Sequence, residues 1–470
     1  MKRFLAAAVI LVMTAAVIFI AGNKKLFNNI TADTTENTVV GKKDVIYFWY
    51  TDERFGDYID SAAVSFGEKE GVHVIPTLVP ESHYLEQINE ATVRGKQGPD
   101  VYMIGNEHLE KAYLSGLAAE VDDVCNICDQ EHFPQTALDA VTFQSKKVAY
   151  PFYFDTTVLL YNETYLQEWA LQQARRELTE GNGEEESEAS ENTSENTSEE
   201  TVEISDELVA QKAAEYFEKA VPGTVEDLLN VANTFDVPEG VEGVMKWDVS
   251  DIFYNYWIVG NYLKVGGVCG DDKSILDIDN EQTVACLKVY QDLNQFFFIE
   301  SDQVTYNSAI EDFMRGATVF SIASSEVIGR LENAKKEGTF GFDYGVVTMP
   351  RINEELDCKS LSVTGTVCVN GYSEQKKLAN KFAAYLVDEY APQLYGKTEK
   401  LAANLQIVPN DALAVYKMEY ARSISLPKIK EIGNLWLRLE NLFAKIWNGE
   451  EIAPLVTELA EEITNQLNQS

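Results

Sequence analysis

Val45-Ile46-Tyr47-Phe48-Trp49-Tyr50 is a run of β-branched and aromatic side chains, the composition of a strand buried inside a parallel sheet. It stops at Thr51-Asp52-Glu53-Arg54. From about Tyr58 to Lys69 the spacing turns helical, with Ala62, Ala63 and Phe66 on one face and Gly71 as terminator. Val72-His73-Val74-Ile75-Pro76 reads as a second strand and Tyr84 to Arg94 as a second helix. Gly95 to Asp100 forms the turn that launches the strand Val101-Tyr102-Met103-Ile104. Strands and helices alternating at this spacing predict a doubly wound α/β sheet. Ligands of such sheets sit beyond the carboxyl ends of the strands. That rule puts Tyr50, Thr51 and Asp52 on one rim with Asn106, Glu107 and His108.

Further along, Ala149-Tyr150-Pro151-Phe152-Tyr153-Phe154-Asp155-Thr156-Thr157-Val158-Leu159-Leu160-Tyr161-Asn162 is long enough for two short strands. Asp155 is its only charged residue. An unpaired buried carboxylate costs several kcal/mol, so Asp155 either has a partner, or faces a wet cavity, or marks a turn.

The 470 residues, 45% hydrophobic and 11% aromatic, suffice for two or three domains with a large core. A formal charge of -38 argues against nucleic acid or anionic lipid as partner. Part of the acidity is local: Glu177 to Glu207 holds 13 acidic residues and no basic one. The low-complexity stretch from about Leu171 to Glu207, with Glu191-Asn192-Thr193-Ser194-Glu195-Asn196-Thr197-Ser198, reads as a disordered surface loop.

Met1-Lys2-Arg3 precedes an apolar run from Phe4 to Gly22, which is either a cleaved export signal or a membrane anchor. Phe27 to Lys43 follows as a polar tether, so the body of the protein is expected outside the cytoplasmic membrane. Six cysteines permit up to three disulfides. Cys125-x-x-Cys128 reads as a local disulfide or free thiols rather than a metal site, with only four His in the chain. No metal or cofactor is expected.

The second half brings helices at Ile204–Ala220 and Val225–Asn233, then the cluster Trp247-Asp248 and Phe253-Tyr254-x-Tyr256-Trp257. Those rings are either a buried face or the lining of a cleft. Helices at Thr283–Asn294 and Asn307–Arg315 and a strand at Ala317–Ile322 lead to Ser324-Ser325-Glu326. The C-terminal region carries Ile432, Leu435, Trp436, Leu439, Leu442, Phe443 and Ile446 at helical spacing.

Gly71-Val72-His73-Val74, Gly98-Pro99-Asp100-Val101 and Ser115-Gly116-Leu117-Ala118-Ala119-Glu120-Val121 stand in an order and spacing that can be named. They continue in Tyr150 to Asn162, Pro222-x-Thr224-x-Glu226-Asp227-Leu228 and Phe313-Met314-Arg315-Gly316-Ala317. Tyr344-Gly345-Val346-Val347-Thr348-Met349-Pro350 and Leu426-Pro427 to Trp436 complete the set. Together they resemble the sugar-binding extracellular solute-binding proteins, of the maltose-binding-protein type, that serve bacterial ABC importers. The resemblance covers nearly the whole chain after residue 44.

That resemblance implies two lobes, each a mixed sheet flanked by helices, joined by a multi-strand hinge. Lobe 1 is expected at 44–154 and 357–402, and lobe 2 at 155–352 and 405–470. The crossings fall near Phe154, near Arg351 to Asp357 and near Ala403 to Pro409, which sets Asp155 at the hinge mouth. The implied ligand set is Tyr50, Asp52, Glu107, Asp155, Tyr254, Trp257, Glu326, Thr364 and Trp436. Carboxylates would accept from sugar hydroxyls and rings would stack on sugar faces.

Two features depart from the family. Gly22 is followed by Asn23 and not by the lipid-modified Cys usual in Gram-positive members, so any tether is the apolar segment itself. Glu326 stands near where many relatives place a Trp. The expected function is capture of a carbohydrate, without catalysis, by a monomer that delivers it to ABC permease subunits at the outer face of a Gram-positive membrane. A non-sugar, cationic solute is the alternative cargo, and a ligand-sensing ectodomain the alternative role.

Overall fold

The structure is a computed structural model; it describes residues 44–94, 98–123, 126–189 and 205–469, with backbone alone for 180–189. The N-terminal apolar run and tether lie outside these residues, and so does Cys125. Among the described residues no helix is long and apolar enough to cross a membrane.

The first strand, β1 (Val45–Tyr50), turns Ile46, Phe48 and Tyr50 into the core and leaves the alternate residues half-buried. Helix α1 (Gly56–Glu70) lays Ala62, Ala63 and Phe66 inward and ends on Gly71, whose φ of 74° suits glycine's freedom in the left-handed region. Strand β2 (His73–Leu78), helix α2 (Tyr84–Val93) and strand β3 (Val101–Gly105) follow. Both β2 and β3 pair parallel with β1. Pro76 is tolerated because β2 is the sheet's edge and needs no donor on its free side.

Ala149–Asn162 forms two strands, β4 (Tyr150–Asp155) and β5 (Thr157–Asn162), and each belongs to a different sheet. Next come α3 (Glu163–Ala189), α4 (Asp206–Ala220), β6 (Gly243–Met245), α5 (Glu281–Phe297), α6 (Tyr306–Met314), β7 (Thr318–Ser324), α7 (Glu326–Glu337) and β8 (Tyr344–Val347). Strand β9 (Leu361–Val369) and helix α8 (Lys376–Val387) precede β10 (Leu401–Ala402), α9 (Asp411–Arg422) and β11 (Ile424–Ser425). The chain ends in α10 (Leu435–Trp447) and α11 (Ile452–Asn468). The larger sheet runs β10-β4-β9-β3-β1-β2, with β11 paired to β9, and the smaller runs β8-β5-β7-β6.

The fold is therefore α/β with two mixed sheets flanked by helices, and the chain passes between them at 156, at 348–360 and again beyond 402. Val45–Ser470 forms one unit by its contacts, so the passages join two halves of a single body. The last passage is less simple than a clean return to the second lobe. Ile424–Ser425 pairs parallel with Leu361–Ser362, placing a strand of the C-terminal region on the larger sheet.

The low-complexity segment differs from its expectation. Residues 171–189 continue α3, because Leu171 to Glu180 is built from strong helix formers. Helix α4 fixes that extension: Lys212 and the Tyr216 hydroxyl both bind the Glu177 carboxylate, at 3.1 and 3.0 Å. Residues 190–204 lie outside the described set.

Cys269, Cys286, Cys358 and Cys368 are free thiols, and burial pushes Cys286, Cys358 and Cys368 up to about 12. Three disulfides are thus excluded, and only the local pairing of Cys125 with Cys128 stays open.

Candidate functional site

Two charged pairs stand at the ends of the larger sheet's strands. Asp52 follows β1 and caps the turn Glu53–Phe55 by accepting from the Arg54 backbone N–H at 2.9 Å. The same carboxylate takes the Arg54 guanidinium through Nε at 3.1 and 3.0 Å and Nη2 at 2.6 Å. Burial opposes its charge, but the Arg54 hydrogen bonds outweigh that and hold the carboxyl below its usual range. Asp155 ends β4, and Lys400 Nζ donates to both its oxygens at 2.7 and 2.6 Å. Of the three possibilities left open for Asp155, the structure supplies the partner. Arg54 feels the charges of Asp155 and Glu326, and Asp52 feels Lys400, so all five groups share one neighbourhood.

Tyr153 sets the floor between them. Its ring lies over Gly365, the directly opposed residue on β9, where the strand register shifts. A Cβ on Gly365 would lie 2.1 Å from the ring. Phe55 at 5.0 Å and Lys400 Nζ at 5.8 Å leave that ring little room to yield. Gly365→Ala is therefore expected to displace Tyr153 and destabilise the protein by about 1–3 kcal/mol, measured as a lower urea midpoint.

The smaller-sheet half supplies rings. Tyr254 stacks on Tyr306 at 4.7 Å and 14°, and meets Phe253 edge-on at 5.3 Å and 85°. Phe253 in turn stacks on Trp436 at 6.5 Å and 21°. This aromatic row is held by two carboxylates. Asp248 accepts from the Tyr306 backbone N–H at 2.9 Å, and Asp251 caps the turn carrying Phe253 and Tyr254. Burial pushes the Tyr254 and Tyr306 hydroxyls well up, so both stay neutral at physiological pH.

Glu326 opens α7. Its charge reaches Tyr254 and Tyr306 on its own side and Arg54 on the other. Glu107 sits just past β3 in a depression of about 340 Å³ lined also by Thr51, His83, His108 and Lys111. Its Oε2 is buried without a hydrogen-bond partner. A larger hollow of about 980 Å³ lies between α5 and the start of α11. That hollow is lined by neither the charged pairs nor the aromatic row.

Four expected members of the site are buried. Trp257 is 2% exposed in the packed core. Thr364 is fully buried, its N–H donating to Asn106 at 3.0 Å and its hydroxyl paired with Tyr420 at 2.8 Å. Tyr50 is buried against Phe48. Tyr254 is 8% exposed in the same core as Trp257. Asp52, Asp155 and Glu326 share the charged neighbourhood, Trp436 is half-buried beside Phe253, and Glu107 stands just past β3. Arg54, Lys400, Tyr153, Phe253 and Tyr306 were missing from the expected set. Phe253 was visible in the aromatic cluster, whereas nothing local marks Lys400 or Tyr306. Among the described residues no group of His, Cys, Asp and Glu is arranged to hold a metal ion.

No protein-family model matches the chain. It is 22% identical over 417 residues to the galactooligosaccharide-binding protein of Bacillus subtilis (strain 168), covering 85% of this chain and 84% of that protein. The structure superposes on the extracellular solute-binding protein from Staphylococcus aureus in complex with maltose with a TM-score of 0.68. Identity there is 19%, over 91% of this chain and 98% of that one. Against a cyclo/maltodextrin-binding protein complexed with maltotetraose the TM-score is 0.67, at 16% identity over 92% and 99% of the two chains. The chain has the two-lobed fold of the maltose-type extracellular solute-binding proteins, the class its motifs resemble.

Proposed function

We propose that this chain captures a carbohydrate, an oligosaccharide, between its two lobes outside the cytoplasmic membrane and delivers it to the permease subunits of an ABC importer. What supports the reading is that the two halves carry different groups. One side offers the carboxylates Asp52 and Asp155, each already oriented by a cation, and the other offers the row from Tyr306 to Trp436. A sugar presents hydroxyl donors and apolar C–H faces, so it needs both kinds of wall. Contacts completed only when the lobes meet shift the population toward the closed form. The relatives named above are binding proteins, which supports a role without catalysis, and the chain is taken to act as a monomer.

A thermal-shift screen tests this, because a ligand that binds only the folded state raises the melting temperature. Galacto-oligosaccharides and maltodextrins are expected to raise it with rising concentration and to be recovered uncleaved. Hydrolysis of the sugar, or silence from every neutral oligosaccharide, would overturn the reading. Glu326 favours one second reading, since among the described residues no cation is hydrogen-bonded to it, and a cationic solute could answer it. A polyamine in the same screen, responding where sugars do not, would select it.

A further inference from the structure

The three passages between the sheets run through different parts of the sequence, yet the C-terminal half of α9 packs on or beside each of them. Tyr420 stacks on Phe154, beside the first passage, with ring centres 4.0 Å apart and planes 3° from parallel. Glu419, with no exposed surface, accepts from the Met349 N–H at 3.2 Å and from the Ser360 hydroxyl, one near each end of the second passage. Arg422 adds a contact to the Cys358 Sγ at 3.0 Å within that same passage. Lys417, 6% exposed, donates to the carbonyl oxygens of Ala402, at 2.9 Å, and Asn404 at the third. A buried charge is held in place by its hydrogen bonds, since losing them exposes its full desolvation cost.

We infer that the helical segment from Lys417 to Arg422 is the positioning element of the hinge: it sets how far apart the lobes rest, and so tunes solute affinity without touching the solute. This rests on the two-lobed capture proposed above. Each clamp joins rigid packed elements to a short passage, and a short passage is where a hinge absorbs its change in φ and ψ. Tyr420, Glu419 and Lys417 act as positioning residues. Removing the energy difference they impose changes the fraction of molecules in the binding-competent form, and the apparent affinity follows that fraction.

The test uses the full chain with Tyr420→Leu, Tyr420→Phe and Glu419→Gln, and Trp447→Ala as a destabilised reference remote from the hinge. Small-angle X-ray scattering is recorded without solute, and affinity is measured with maltotriose and with a galacto-oligosaccharide. Tyr420→Leu is expected to alter the solute-free scattering profile and to change affinity by about fivefold or more. Glu419→Gln should do the same if Tyr420→Leu fails to fold. Tyr420→Phe keeps the stacked ring and should keep the native profile, while Trp447→Ala lowers stability and leaves both readouts alone. An unchanged profile in Tyr420→Leu and Glu419→Gln, with stability lowered as in Trp447→Ala, would overturn the inference. Should the native chain bind neither sugar, the proposed cargo fails, and the solute-free scattering still decides the hinge.

Discussion

Lys400→Met is expected to cost about 2–4 kcal/mol of folding stability, read as a lower urea midpoint at pH 7, and to weaken solute binding sharply. The estimate follows from the geometry of the pair. Lys400 and Asp155 are only 13% and 21% exposed, and the ammonium bonds both carboxylate oxygens. Breaking a buried pair by removing one partner leaves an uncompensated charge, at about 3–5 kcal/mol when burial is complete. Partial exposure reduces that figure here. Asp52 lies in the same neighbourhood, so the abandoned carboxylate also meets a like charge. The companion variant carrying both Lys400→Met and Asp155→Asn should recover most of the stability, since no bare charge remains. It should not recover binding, because the ionised acceptor for a sugar hydroxyl is gone. Equal stability of Lys400→Met and the native chain would contradict the burial of this pair.

Trp447→Ala is expected to have the largest effect on stability, about 3–5 kcal/mol, with affinity per folded molecule unchanged. Trp447 is 1% exposed. Its ring meets Trp247 edge-on at 5.5 Å and 82°, and Tyr290 at 4.8 Å, while its indole N–H donates to the Ile299 carbonyl at 2.9 Å. Truncation removes one of the two indoles of that cluster, opens a cavity and orphans the carbonyl. Urea unfolding gives the stability, and titration calorimetry corrected for the folded fraction gives the affinity. A change in that corrected affinity would mean that this core communicates with the cleft.

Local pattern carried the fold further than it carried the site. Strand and helix alternation from Val45 to Gly105 is written in residue spacing, because a strand's buried face and a helix's buried stripe leave different periods. Asp155 could be singled out because a charge in an apolar run demands a reason, but its partner lies 245 residues away. No local rule reaches that far. The aromatic cluster showed that rings gather near Tyr254 without showing which side each takes. Both Tyr254 and Trp257 are buried in one packed core, at 8% and 2% exposed, so most of that cluster is the buried face and not an open lining. Thr364 illustrates the same limit in a strand: the resemblance implied a ligand contact, but its hydroxyl is paired with Tyr420 at 2.8 Å. The acidic stretch failed as a prediction in its first part because low complexity was weighed above helix propensity, and Lys212 and Tyr216 supply the anchoring that tipped the balance.

The central claim is that a carbohydrate is held between the two lobes. Small-angle X-ray scattering of the full chain, titrated with whichever oligosaccharide raises the melting temperature, tests it most directly. The account predicts a smaller radius of gyration at saturation, with the change lost in Asp155→Ala and Trp436→Ala. A sugar that binds these variants as tightly as the native chain, or that binds with no change in radius, would contradict it.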